Sequence, residues 1–110
     1  MNTTQIIENI SKARFCRIIE KYKGKIIVNP HALDHLSDAQ RKVYKESELV
    51  KILTKESPRG IGLQRNGRFA AFFRRKKGFI RIIFAIKYPR LEIITFTNPD
   101  YMPNLKKLKR

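Results

Sequence analysis

Tryptophan is absent from the chain, and cysteine occurs once, at Cys16. One cysteine excludes an internal disulfide, so a reducing cytoplasm is the expected location. Cys16 lies in an amphipathic run, where packing accounts for it better than nucleophilic chemistry does. Two histidines and one cysteine are too few for a zinc cluster, so no metal is expected. Apolar runs stop at about five residues, as in 69–73, against the ~20 needed to span a bilayer. No membrane partner follows from that. Glu8, Lys12, Arg14 and Arg17 interrupt the first 20 residues, so no signal peptide is expected. Internal repeats and low-complexity segments are missing too. The scarcest class for its importance is acid: 9 Asp+Glu stand against 25 Lys+Arg, leaving a net charge of +16.

What is present is an ordinary apolar fraction, 42%, in 110 residues. That suits a single domain, 1–110, with one modest core. So much positive charge in a small domain opposes folding by self-repulsion and points to a polyanionic partner. A nucleic acid is the expected one.

Along the chain, residues 4–22 place Ile6, Ile7, Ile10, Ala13, Phe15, Ile18, Ile19 and Tyr22 at mixed spacings of three and four, which predicts an N-terminal helix over the 1–24 segment. Residues 25–29 are β-branched and read as a short strand ended by Asn29-Pro30. A turn or short helix follows over 31–36. Ser37-Asp38-Ala39-Gln40 fits a capping box opening a brief helix over 38–44, and Leu49, Val50, Ile52 and Leu53 predict a second over 46–55. Residues 101–110 read as a basic tail.

Between them, 60–97 predicts a four-stranded antiparallel meander. Asn66-Gly67 and Lys77-Gly78 are hairpin signals, read as two-residue turns, and Tyr88-Pro89-Arg90 breaks the chain before the last strand. That register opposes Leu63 to Ala70, Arg74 to Arg81, Ile83 to Thr95 and Arg81 to Thr97. One face then carries Phe69, Ala71, Phe73, Ile80, Ile82, Phe84, Ile86, Ile94 and Phe96 and should lie on the core, with Gln64 on the same side. The other carries Arg65, Arg68, Arg74, Arg81, Lys87, Thr95 and Thr97 around Leu63, Phe72, Ile83 and Ile93. It is a cationic surface with an apolar floor, and the plain alternative is a solvated sheet face trimmed with arginine. The expected fold class is α+β: N-terminal helix, short strand, one or two short helices, then the meander.

The segments His31-Ala32-Leu33-Asp34-His35-Leu36, Gln64-Arg65-Asn66-Gly67-Arg68-Phe69, Gly78-Phe79-Ile80-Arg81-Ile82-Ile83 and Ile93-Ile94-Thr95-Phe96, in this order over 25–100, resemble the small RNase toxins of the BECR fold (barnase–EndoU–colicin–RelE), in their histidine-containing RelE/BrnT-like branch. The resemblance implies a sheet with helices on one face. It also implies an endoribonuclease, the toxin of a toxin–antitoxin pair, that cleaves without metal or cofactor by 2′-OH attack on the adjacent phosphate. An acidic antitoxin would be its protein partner.

Such chemistry needs a base, an acid and cations on the phosphate. Catalytic candidates are His31, Arg68, Arg81 and Thr95, with His35 a second base candidate and Tyr101 a candidate acid. Arg65, Arg74, Lys87, Phe72 (by stacking), Lys106, Lys107, Lys109 and Arg110 are candidates for binding RNA. The competing class is a non-catalytic basic RNA- or DNA-binding protein, including the ribosome-associated kind. An enzyme requires these groups to converge; a binder requires only that they spread.

Overall fold

The computed structural model describes residues 3–105, without the side chains of Lys42 and Val43. Its elements run β1 (Ile6–Asn9), α1 (Lys12–Lys21), β2 (Ile26–Val28), α2 (Asp38–Val43), α3 (Glu46–Lys55), β3 (Gly60–Gln64), β4 (Phe69–Arg74), β5 (Phe79–Lys87) and β6 (Arg90–Thr97). The strands form one six-stranded mixed sheet in the order β1-β3-β4-β5-β6-β2. This corrects the expected fold class. The four-stranded antiparallel unit does not stand alone behind an N-terminal helix. It is extended at one edge by β1, antiparallel to β3, and at the other by β2, parallel to β6.

The N-terminal error has a local cause. Ile6, Ile7 and Ile10 satisfy helical spacing, but they are β-branched residues that also suit a strand. The strand wins because β3 would otherwise be an unpaired edge. The helix begins only at Lys12, where the Ser11 hydroxyl accepts from the Arg14 N–H at 3.1 Å. Phe15 and Ile19 are its buried residues, and Cys16 is exposed, so the expectation that it packs is corrected. At α2 the Ser37/Gln40 capping box is formed in both directions.

Loop lengths decide the two sheet faces. The β3–β4 loop holds three residues, Arg65-Asn66-Gly67, because Gln64 and Arg68 still bond each other across the pair. Only Gly67 has positive φ, at 86°, which fits a type I turn closed by a left-handed glycine and not the two-residue turn expected. Leu63 therefore opposes Phe69, one residue from the expected register. That shift turns Leu63 to the core and Gln64 to the other face, reversing both expectations.

The β4–β5 loop holds four residues. Arg74 therefore opposes Phe79, and Arg81 opposes Phe72, not Arg74. This is a shift of two, so the faces survive while the expected Arg74/Arg81 pair does not. The last turn holds two residues, and an extra residue in β6 near Ile94 restores the expected pairs Ile83–Thr95 and Arg81–Thr97. Between turn and bulge the sides exchange. Ile93 lies in the core, Ile94 packs on the opposite face, and Ile86 is exposed at the sheet end.

One face thus packs Phe73, Ile80, Ile82, Phe84, Ile93 and Phe96 against α1 and α3. Ala70, Phe72 and Ile83 form a second, smaller cluster on the opposite face, with Ile6 and Met102 against it. The segment 102–105 lies over β3 there: a Cβ added to Gly60 would meet Leu105 Cδ1 at 2.7 Å.

Candidate functional site

The face without helices carries the candidate residues in two groups, set at opposite ends of β5. Arg81 and Lys87 are six residues apart on that strand, about 20 Å at the usual strand rise.

At the Lys87 end the contacts form a chain. Lys87 Nζ pairs with the Glu92 carboxylate. The other Glu92 oxygen accepts from Asn29 Nδ2 at 2.8 Å. Asn29 Oδ1 in turn accepts the backbone N–H of His31 at 2.8 Å. That Asx turn forms because Asn29 leaves β2 just before Pro30, and it sets where His31 stands. The His31 ring places Nδ1 2.7 Å from Asp34 Oδ2. A carboxylate can only accept, so Nδ1 donates, and in the neutral ring the lone pair is then on Nε2. The His31 side chain is 82% exposed, so packing does not explain it. Asp34 also has Arg41 beside it, whose Nη2 donates to the Asp34 carbonyl.

Glu92 is buried. Its carboxyl is held below the usual range first by the hydrogen bond from Lys87, then by that from Asn29; burial pushes the other way and loses, with the charges of Lys87 and Arg68 adding to the lowering. A carboxylate depressed in the fold contributes stability above its unfolded value, and that contribution disappears as pH falls through the lower folded value. Glu92→Gln should therefore melt lower than wild type at pH 7, and the two melting curves should converge on acidification below the ordinary carboxylate range. Parallel melting temperatures across that range would show the carboxylate to be idle.

At the other end Arg81 is half-buried, and its Nε donates to Thr97 Oγ1 at 3.1 Å. A cavity of about 320 Å³ opens beside it, floored by Phe72 and walled by 4–6 and 103–105. Thr95, half-buried on β6, lies between the two groups. No family model, curated protein or solved structure matches the chain. The RelE-like resemblance therefore rests on the residues quoted for it.

The remaining candidates scatter. His35 is exposed and sets its ring edge-on to Phe96, 5.1 Å between centroids, on the helix side of the sheet. Tyr101 is 85% exposed, in the segment after β6. Arg65 bonds Gln5 beyond the β3 hairpin, and the Arg74 guanidinium lies over the Phe79 ring. Arg68 does not scatter: exposed just before β4, it is near enough to Glu92 for its charge to act there. Phe72 is 1% exposed, which corrects its assignment as a stacking platform. Lys106, Lys107, Lys109 and Arg110 lie outside the described residues.

Sequence reasoning missed Glu92, Asn29 and Asp34. The available signal was a glutamate between Leu91 and Ile93 in an acid-poor chain, five residues after Lys87. Gln64, moved to this face by the three-residue loop, is nearly fully buried, and its Oε1 has no hydrogen-bond partner among the described residues.

Proposed function

We propose that the chain is an endoribonuclease, acting as the toxin of a toxin–antitoxin pair. The observation that carries this reading is the His31–Asp34 pair, tethered through Asn29 to Glu92 beside Lys87. In the reaction, His31 Nε2 takes the 2′-OH proton while Asp34 holds the ring and stabilises the imidazolium. Lys87 and Arg68 face the phosphate as charge builds on it. The 2′-oxygen bonds to phosphorus, the 5′-oxygen leaves and takes a proton from solvent, and a 2′,3′-cyclic phosphate remains. The excess of 25 Lys+Arg over 9 Asp+Glu suits an acidic inhibitor protein, drawn to the cationic face by charge.

Incubation of the purified chain with RNA in EDTA should yield 2′,3′-cyclic phosphate ends. Binding to duplex should fall by about 10³–10⁵ between 50 and 200 mM salt if six to ten phosphates are neutralised. Intact RNA would remove the nuclease reading, and a flat salt response would remove any electrostatic one.

The second reading, a non-catalytic nucleic-acid-binding module, is favoured by one observation: Arg81 and Lys87 are spread along β5 instead of meeting at one phosphate. Salt-sensitive binding with no cleavage would select it.

A further inference from the structure

Two of the described arginines are half-buried, Arg75 and Arg81. Arg75 makes a bidentate pair with Glu56, at 2.8 and 3.1 Å. Arg81 has no such partner: among the described residues, the carboxylates in ion-pair range belong to Arg14, His31, Arg41, Arg75 and Lys87. Its Nε reaches the Thr97 hydroxyl, and among the described residues no hydrogen bond from its two Nη atoms is seen. A guanidinium partly withdrawn from water and left without an anion is costly. It is nonetheless fixed in place, since Phe72 opposes it across the ladder and Thr97 holds its Nε.

Arg81 lines a cavity that is open to solvent on one side. At about 320 Å³, with Phe72 beneath and the two chain-end segments as walls, it has room for a phosphate and its sugar, not for a folded partner. A planar fork of free N–H donors matches the oxygens of a phosphate, two bonds at a time.

We propose that this cavity, which His31 does not line, is a phosphate pocket in which Arg81 takes the oxyanion of a nucleotide. The choice of source, a phosphate of the RNA strand a few nucleotides from the cleaved bond, rests on the nuclease reading; a free mononucleotide offers the same chemistry. Arg81 then acts in holding the strand, and not, as its place among the catalytic candidates implied, on the reacting phosphate.

The test follows the Arg81 Nε–H resonance by NMR, assigned by its loss in Arg81→Lys, during titration with inorganic phosphate and with adenosine 5′-monophosphate. Both should shift it saturably. With RNA as substrate, Arg81→Ala should raise KM by about tenfold, the scale of one charge-assisted hydrogen bond, with kcat unchanged. Arg81→Lys should fold as wild type does and recover part of the KM. A resonance that neither ligand moves would overturn the pocket. A fall in kcat at unchanged KM would overturn the separation from the chemistry. A saturable shift with adenosine 5′-monophosphate, in a protein that neither binds nor cleaves RNA, would uphold the pocket and bring down the nuclease reading alone.

Discussion

His31→Ala is expected to slow RNA cleavage by about 10²–10⁴-fold at neutral pH, the range a positioned general base supplies, without lowering the melting temperature. The fold has little stake in this side chain. It is 82% exposed, and among the described residues its ring bonds Asp34, itself more than half exposed. The backbone N–H that anchors the turn to Asn29 is retained in the variant. Asp34→Asn should also slow cleavage, by less, because the base remains while its orientation is loosened. Asn29→Ala should act on both properties, since it removes one hydrogen bond to Glu92 and the one that places His31. The measurements are single-turnover cleavage in EDTA and thermal melting on each variant. Cleavage by His31→Ala at the wild-type rate would remove His31 from the chemistry and leave the binding module as the better account of the cationic face.

Phe72→Ala is expected to cost about 3–5 kcal/mol, as burying then deleting a large aromatic side chain does. In a domain of this size that lowers the melting temperature by about 10–20 °C. Phe72 is 1% exposed and centres the smaller apolar cluster with Ala70 and Ile83. It also floors the Arg81 cavity, so its loss should loosen that arginine. Phe72→Leu should recover most of the stability. Melting and urea unfolding check this directly. An unchanged melting curve with weakened RNA binding would return Phe72 to the surface role its alternation first suggested, and would mean that 102–105 does not cover this face.

The two outcomes bear on different parts of the chain, and so does the ease with which each part reads from sequence. The Ser37/Gln40 capping box, the helix over Glu46–Lys55 and the period of two through β4 and β5 are set by neighbours within a few residues, so they are legible without coordinates. Composition likewise carries the cationic character of the whole surface, because net charge does not depend on the fold.

Parity across loops is a different matter. Asn66-Gly67 marks a turn whether its loop holds two residues or three, and only the third residue, accepted by Gly67 in the left-handed region, sends Leu63 inward and Gln64 outward. The bulge near Ile94 exchanged Ile93 and Ile94 for the same reason: a period of two has no memory of an inserted residue. Strand or helix at Ile6–Asn9 was equally undecided locally. The open edge of β3, some fifty residues later, resolved it.

The candidate site divides along the same line. By itself the sequence determined the supply of groups: His31 just after Asn29-Pro30, arginines on alternating strand positions, and an excess of cations with few acids to quench them. Tertiary structure alone decided their grouping. It brought β2 beside β6, so that Asn29 meets Glu92 and places His31 in the turn that follows, and it set Arg81 against Thr97. These are contacts between residues up to sixty-three positions apart. Their geometry depends on the parity of every loop between them and on which edges remain to be paired, and no local pattern of residues contains either.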